Sequence, residues 1–153
     1  MAKGEAPWLL LIHQIPKDPA YLRVKVGRRL AAVGAVALKN SVYVLPNRDT
    51  CREDFSWVRR EIVDGGGEAA VFEAVALEGV SREDLERMFR EARAEDYQEL
   101  NEKVGLLESR ARSTVPPGRQ AAQAEVARIE ERLGEIERID FVSQPEARIA
   151  RDR

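Results

Sequence analysis

The chain has 153 residues and a net charge of −2; 44% of its residues are hydrophobic and 34% are charged. This length and apolar content allow a packed core, which excludes disorder throughout, and the charged fraction indicates long solvated helices. The small net charge excludes indiscriminate condensation of the whole molecule on a polyanion.

The first two predicted elements are a strand and a helix. The apolar run from Trp8 to Ile12 stops before Pro16 and is typical of a strand that is buried on both faces. A helix is predicted from about Ala20 to Val33, with Pro19 opening it and Gly34 capping its carboxyl end. Its core face is predicted to consist of Leu22, Val26, Leu30 and Val33.

Two strands and a second helix are predicted next. The strands cover Ala35–Lys39 and Ser41–Leu45, the second of which is rich in β-branched and aromatic residues. Thr50 and Glu53 match a T-x-x-E capping box, so the second helix is predicted to begin at Cys51.

A triple glycine at residues 65–67 ends the second helix, and a fourth strand is predicted over Ala69–Leu77. The apolar face of the helix consists of Phe55, Val58 and Ile62. The order β-α-β-β-α-β over residues 6–79 predicts a ferredoxin-like domain of the α+β class, with two helices on one side of a four-stranded sheet.

Two long helices are predicted in the rest of the chain. Ser81 is the predicted N-cap of the first, which reaches about Arg112 and is broken by the Val-Pro-Pro-Gly segment at residues 115–118. Its apolar side consists of Leu85, Met88, Phe89, Ala92, Leu100, Val104 and Leu107. The second helix is predicted from about Gln120 to Ile139, and its apolar seam consists of Ala122, Val126, Ile129, Leu133 and Ile136.

This seam covers fewer than three heptads, which is too short for a helix that is stable alone. The last helix is therefore predicted to pack back on the preceding one as a helical hairpin or to pair with a second subunit. We predict a helical extension over residues 80–141 and a frayed tail over residues 142–153.

The first helix carries a cluster of basic residues that contains no acidic residue: Arg23, Lys25, Arg28 and Arg29. Lys25 and Arg28 point away from the core face, whereas Arg23 and Arg29 flank it. Residues 1–60 hold 11 Lys and Arg against 5 Asp and Glu, a net of +6, while residues 61–153 hold 14 against 22, a net of −8. The four cations are candidate contacts for nucleic-acid phosphates. The alternative, which composition alone favours, is a solvated face that covers core edges.

Groups suited to catalysis or metal binding are scarce. Cys51 is the single cysteine and His13 the single histidine, which excludes an intrachain disulfide, a Cys-based zinc site and His-rich metal sites. We predict no catalytic residue, no metal site and no cofactor, and hence not an enzyme. His13 is expected to be a satisfied core histidine and Cys51 a surface or half-buried spectator thiol. The aromatic residues expected in core or dimer packing are Trp8, Tyr43, Phe55 and Trp57.

The longest apolar run is too short to span a bilayer or to form the apolar region of a signal peptide. We therefore expect a soluble, cytoplasmic protein with no membrane partner.

Several sequence blocks together resemble the amino-terminal domain of the ChrB family. The longest are Trp8–Pro16, Tyr21–Leu30 and Gly34–Pro46. The resemblance continues through Arg52–Phe55, Arg60–Val63, Gly65–Glu68 and the pair Asp96 and Tyr97, so that it covers roughly residues 8–100. The combination of blocks is specific to that family.

Members of the ChrB family are chromate-responsive regulators found with chromate efflux pumps. The resemblance implies binding to promoter DNA of a chromate-resistance operon, relieved when chromate is present, and it places Arg23–Arg29 inside a shared block. Family members often carry a second, carboxy-terminal domain associated with the chromate response, so a separate chromate-sensing domain or protein is an expected partner. No helix-turn-helix is recognisable, so DNA contact is expected to use an unusual surface.

A wider resemblance links the chain to small CRISPR-associated ferredoxin-like proteins and to the middle domain of phenylacetate-pathway repressors. Many of those CRISPR proteins have an aspartate at the end of the first strand for metal-dependent nuclease work. Here that position reads His13-Gln14, and the next carboxylate along the chain is Asp18, beyond Pro16, which disfavours a metal-dependent nuclease.

The sequence therefore supports one principal hypothesis, a DNA-binding transcriptional regulator of chromate resistance that acts as a homodimer. The alternative is a non-catalytic dimerisation or interaction module that docks a separate chromate-sensing domain. Chromate binding by this chain itself is not predicted, because a small oxyanion needs converging donors and the sequence shows cations without showing convergence.

Overall fold

The computed structural model describes residues 6–18, 20–113, 115 and 118–142. Its elements in chain order are β1 (Trp8–Gln14), α1 (Tyr21–Ala32), β2 (Val36–Lys39), β3 (Val42–Pro46), α2 (Asp49–Asp64), β4 (Glu68–Ala74), α3 (Arg82–Ala111) and α4 (Arg119–Arg138). The chain forms two compact units, Met1–Glu86 and Arg87–Arg153. Pro19, the predicted start of α1, and residues 143–153 of the predicted tail lie outside the described residues.

The first unit contains a four-stranded sheet in the order β2-β3-β1-β4. Every neighbouring pair is antiparallel, and β1 is central, with Leu11 opposite Tyr43 of β3 on one side and Val71 of β4 on the other. With α1 following β1 and α2 following β3, the predicted β-α-β-β-α-β order and the α+β class are confirmed.

One face of this sheet carries the main core. Residues paired across antiparallel strands share a face, so Leu9, Leu11 and Leu45 lie on the same side, and all three are buried. The helices contribute a matching set of buried side chains, which consists of Leu22, Val26, Leu30, Phe55, Val58 and Ile62. Burying apolar side chains of this size contributes roughly 1.5–3 kcal/mol each, so this layer holds α1 and α2 against the sheet.

The opposite face of the sheet is apolar but only partly covered. Trp8 and Val44 are buried there, whereas Ile12 is 42% exposed and Phe72 is 50% exposed. The prediction that the first strand is buried on both faces is therefore wrong for its carboxyl half.

The second helix begins earlier than its capping-box sequence predicts. α2 starts at Asp49 with an extended Arg48 before it, so Thr50 lies inside the first turn and is not the N-cap. The cause lies at Asn47, whose Nδ2 donates to the Ala6 carbonyl oxygen at 2.7 Å and whose backbone N–H donates to the Pro7 carbonyl oxygen at 2.9 Å. The helix begins just beyond this anchor.

Close packing determines the turn between α2 and β4, and the length of the partner strand β1 determines where β4 ends. A Cβ at Gly67 would lie 2.7 Å from the Gln14 carbonyl oxygen and 2.7 Å from Ile62 Cγ2, so only glycine allows this approach. β4 ends at Ala74 and not at the predicted Leu77, because Ala74 pairs with Trp8, the first residue of β1. Gly34 has a φ of 84° and ends α1, as predicted.

The predicted capping of α3 by Ser81 is confirmed. The Asp84 backbone N–H donates to Ser81 Oγ at 3.0 Å, and the Ser81 backbone N–H donates to Asp84 Oδ2 at 2.9 Å. This reciprocal pair satisfies two of the backbone N–H groups that a helix start leaves open.

The second unit is an antiparallel helical hairpin, the first of the two predicted alternatives for α4. Near the turn, Arg110 Nη1 lies 2.6 Å from Glu125 Oε1, and near the open end Arg93 Nη1 donates to the Ile139 carbonyl oxygen at 3.0 Å. Within the seam Ile136 is buried, whereas Val126 and Leu133 stay exposed. The predicted boundary between the ferredoxin-like domain and the helical extension, at residues 79 and 80, stays a prediction.

In the described part of the chain, no helix has an apolar stretch long enough to cross a membrane.

A buried polar cluster holds the open end of this hairpin. The Tyr97 hydroxyl donates to Asp140 Oδ2 at 2.9 Å, Arg93 and Asp140 are buried, and the rings of Phe89 and Phe141 meet edge to face at 5.9 Å. Burial, with the Asp140 carboxylate beside the hydroxyl, raises the pKa of Tyr97 to about 12. The Asp96-Tyr97 block thus has a structural role in this unit.

We expect Tyr97→Phe to lower the free energy of unfolding by about 1–3 kcal/mol, because the substitution leaves the buried Asp140 carboxylate without its donor. Urea unfolding followed by circular dichroism measures the change. Tyr21→Phe is the matched control, since Tyr21 is exposed, and it should change stability by no more than about 0.5 kcal/mol. Equal effects of the two substitutions would show that the hydroxyl of Tyr97 stabilises nothing.

Candidate nucleic-acid interface

All four predicted contact residues lie on the solvent side of α1. Leu22, Val26 and Leu30 are buried one turn apart and attach the helix to the sheet. The helical spacing of these anchors determines where every other side chain of α1 points. The α1 stripe, by which we mean Arg23, Lys25, Arg28 and Arg29, is exposed along its whole length.

The structure divides the stripe into residues with and without protein partners. Arg29 Nη2 lies 2.8 Å from Glu61 Oε1 of α2, and Arg23 Nη2 reaches the Ile15 carbonyl oxygen at 3.5 Å. In the described part of the chain, Lys25 and Arg28 make no ion pair or side-chain hydrogen bond. These two cations point away from the core face and are therefore the most available for an external anion.

Two exposed side chains that sequence reasoning missed lie beside them. Tyr21 is 66% exposed and Val24 is 53% exposed, and both border a shallow surface depression with Lys25, Arg28 and Arg29. Because a large exposed aromatic ring beside cations suits stacking as well as charge neutralisation, they extend the candidate interface. A helical projection of residues 21–32 would have placed both on this face.

The other basic residues of the amino-terminal part mostly contact protein groups. Arg52 pairs with Glu73, Arg59 Nε donates to the Ala69 carbonyl oxygen at 3.0 Å, and Arg60 lies over the Trp57 ring at 5.1 Å. Of these contacts, only the ion pair with Glu73 neutralises a charge. The carbonyl oxygen and the Trp57 ring restrict where the Arg59 and Arg60 side chains point and leave their charge in place.

Of the aromatic residues expected in core or dimer packing, Trp8 and Phe55 are buried in the core. Trp57 is 56% exposed because it lies on the side of α2 opposite Phe55, so dimer packing of Trp57 stays a prediction. Cys51 is fully buried, which corrects the expected surface or half-buried thiol. Cys51 lies one turn before Phe55 on the core face of α2, and burial raises the pKa of its thiol. A buried, protonated thiol is unreactive.

His13 is half-buried, and it is not the satisfied core histidine that we expected. Its ring stacks on Tyr43 with centroids 5.6 Å apart, and in the described part of the chain its buried Nδ1 has no hydrogen-bond partner. Burial, and after it the nearby Arg23 charge, lower the pKa of the imidazole, so the ring is neutral at physiological pH. No group of three His, Cys, Asp or Glu residues among those described is placed to hold a metal ion.

Comparison with known proteins gives two matches. A family model described as "Protein ChrB, N-terminal" matches residues 23–139, a range that begins with the first residue of the α1 stripe. The chain is also 27% identical over 138 residues to Protein ChrB of Cupriavidus metallidurans. That alignment covers 90% of this chain but 41% of the relative, so the chain spans about two fifths of the relative's length. No solved structure matches.

We expect a double-mutant cycle on Arg29→Gln and Glu61→Gln to give a coupling free energy of about 0.2–1 kcal/mol in favour of the pair, since the arginine is half-exposed. Urea unfolding of the four proteins measures it. The matched cycle on Arg28→Gln and Glu61→Gln should give no coupling, because Arg28 does not contact that carboxylate. Coupling of equal size in both cycles would contradict the claim that Glu61 pairs with Arg29 and not with Arg28.

Proposed function

The chain belongs to the ChrB amino-terminal family, and from this premise we propose that it is the DNA-binding part of a chromate-resistance regulator. In this proposal the α1 stripe contacts the promoter of a chromate-resistance operon, and chromate relieves the contact. Membership of the family supports a role in regulation. The positive charge and the exposure of α1 support its use as the DNA-contacting surface.

A single observation carries the proposal: Lys25 and Arg28 are exposed on one helical face, and no carboxylate of the described residues pairs with either. The two residues are about 4.5 Å apart along the helix axis, and their long side chains can reach separate phosphates of a duplex. Each neutralised phosphate releases condensed counterions, which supplies affinity and makes it dependent on salt.

The three buried side chains of α1 hold the helix in place, which favours ligand binding by its exposed face. A helix that is fixed by three buried side chains loses little further conformational freedom when its outer face meets a ligand. Phosphate contacts from Lys25 and Arg28 would position the helix, and Tyr21 and Val24 are the neighbouring groups able to contact bases in a groove that admits an α-helix.

The proposed partners are promoter DNA and a second copy of the chain. A homodimer doubles the number of phosphate contacts and reads two half-sites. Because the chain spans about two fifths of its ChrB relative, we propose that a separate domain or protein senses chromate.

We expect Lys25→Gln and Arg28→Gln each to weaken binding to DNA from upstream of the chromate-resistance genes and to reduce the slope of log affinity against log salt by about 1. Fluorescence anisotropy over a range of salt concentrations measures both quantities. Arg29→Gln should have a smaller effect, because its guanidinium is engaged by Glu61.

Lys103→Gln is the control for this experiment, since it removes an exposed positive charge from the second unit. Unchanged affinity and salt slope in the Lys25→Gln, Arg28→Gln double variant would exclude α1 from the interface. Absence of DNA binding at physiological salt would favour the second candidate function.

The second candidate is a non-catalytic dimerisation or interaction module, and the exposed part of the sheet favours it. Ile12 and Phe72 share the face opposite the helices, and β4 is an edge strand. Edge strands with exposed apolar side chains tend to pair with another chain. A dimer formed there is compatible with either candidate, and a DNA titration distinguishes them.

We expect the wild-type chain to sediment as a dimer and Phe72→Asp to sediment as a monomer, because a carboxylate on this face cannot be buried against a second copy. Analytical ultracentrifugation over a dilution series measures the equilibrium. Leu77→Asp, at an exposed position beyond the end of β4, is the control and should leave it unchanged. A wild-type chain that is monomeric at every concentration would refute the homodimer.

A further inference from the structure

The two edges of the sheet in the first unit differ in how they are protected against pairing with another strand. β2 has four residues, its pairing shifts register between Ala37 and Lys39, and its last residue is a lysine. A short strand, irregular pairing and a lysine are common means of protecting a sheet edge. β4 has seven residues, follows β1 in one continuous register and contains no proline, lysine or arginine. The open side of β4 is therefore the edge suited to strand pairing.

The hydrogen bonds around His13 and Ala69 show which backbone groups of β4 point away from β1. These two residues lie directly opposite each other. The His13 backbone N–H donates at 3.0 Å to a carbonyl oxygen of the turn between β2 and β3, and the Ala69 carbonyl oxygen accepts from Arg59 Nε at 3.0 Å. Opposite residues of an antiparallel pair exchange both hydrogen bonds or neither, and the two kinds of pair alternate. The outward N–H and C=O groups are therefore those of Ala69, Val71 and Glu73.

This open edge combines free backbone groups with apolar side chains on both faces. Among the described residues, only the Ala69 carbonyl oxygen of these outward groups has a hydrogen-bond partner. Val71 is 36% exposed on the face that carries the helices, and Phe72 is 50% exposed on the opposite face. A strand laid along the edge would form hydrogen bonds and bury apolar surface at the same time.

A second copy of β4, running antiparallel to the first, fits this edge best in one register. With Val71 opposite the partner's Val71, every residue of Glu68–Ala74 has an opposite residue, whereas a shift of two residues leaves two residues of each strand unpaired. A shift of one residue would place outward backbone groups opposite inward ones. In the best register Phe72 lies opposite the partner's Ala70, a large side chain beside a small one. The arrangement is two-fold symmetric, so it closes after two copies.

Charge complementarity supports the same register. Glu73 would lie opposite the partner's Ala69, whose carbonyl oxygen is the one that Arg59 contacts. Within its own chain Glu73 pairs through Oε1 with Arg52, which leaves Oε2 for a second cation. The partner's Arg59 would supply that cation. The other carboxylate of the strand, at Glu68, would lie at the far end beside an alanine, so no two carboxylates face each other.

We propose that β4 pairs antiparallel with β4 of a second copy, with Val71 opposite the partner's Val71, so that the two sheets form one continuous sheet. The proposal rests on the homodimer proposed above. It adds the contact strand, the register and an ion pair between Arg59 and the partner's Glu73.

Val71→Pro tests the backbone pairing, because proline removes an outward N–H and leaves the hydrogen bonds to β1 in place. We expect the dissociation constant of the dimer to rise by about tenfold, since each copy loses one hydrogen bond to the other. Analytical ultracentrifugation of the whole chain over a dilution series measures it. Val71→Thr keeps both the N–H and the β-branched shape, and it should change the constant by less than about twofold.

Arg59→Gln tests the ion pair between copies and does not depend on how Val71→Pro folds. The substitution removes one exposed ion pair from each half of the dimer, so the dissociation constant should rise between about twofold and thirtyfold. Arg60→Gln is the matched control, because it removes the same charge from the next position of α2, where the side chain lies over Trp57. Equal weakening by the two substitutions would overturn the ion pair.

Distances between nitroxide labels test the register. Glu68→Cys and Ala74→Cys are labelled in separate samples, while the buried thiol of Cys51 stays unlabelled. Since residue 68 lies opposite residue 74 of the partner, both samples should give the same distance, about 20 Å between the labelled backbones at about 3.4 Å per residue. A register shifted by two residues would lengthen one distance by about 7 Å and shorten the other by as much, which would overturn the assignment.

The failure of this proposal can be distinguished from the failure of those on which it rests. Unfolding midpoints check that each variant folds. A wild-type chain that is monomeric at every concentration would overturn the homodimer and the strand pairing together. A dimer that Val71→Pro and Arg59→Gln both leave unchanged would overturn the strand pairing alone. DNA binding by Lys25 and Arg28 is measured separately.

Discussion

Burial of one face of α1 is the constraint that orients the surface of this helix. Leu22, Val26 and Leu30 of α1 are buried, as are Leu9 and Leu11 of β1. With these three side chains held in the core, α1 cannot rotate about its own axis. Its remaining side chains are thereby directed to solvent or to neighbouring elements, so the core determines which of them the surface presents.

That assignment gives four neighbouring cations different surroundings. Lys25 and Arg28 face solvent, Arg29 meets Glu61 of α2, and Arg23 turns toward His13 and Ile15. Like charges that share one helix therefore have different surroundings. The helix presents Lys25 and Arg28, which have no partner among the described residues, on its solvent side and Arg23 on its flank.

Local sequence signals predicted the fold well where a single residue type has a clear backbone preference. Gly34 and Ser81 end and begin helices as predicted, and the element order is confirmed. The capping-box prediction at Thr50 was wrong because the Asn47 contacts to residues 6 and 7 determine where α2 begins. No local pattern contains those contacts.

Local patterns in the amino-acid sequence were enough to predict the four-stranded α+β unit, the two long helices after it and the basic character of α1. Periodicity, caps and composition are local, and they act before the chain has folded. The folded structure was needed to show which cations have partners, that Trp57 lies outside the core, and that β1, α1 and the β2–β3 turn line one cleft. Those outcomes depend on contacts between residues far apart in the chain, whose distances are set only when α1 and α2 pack against the sheet.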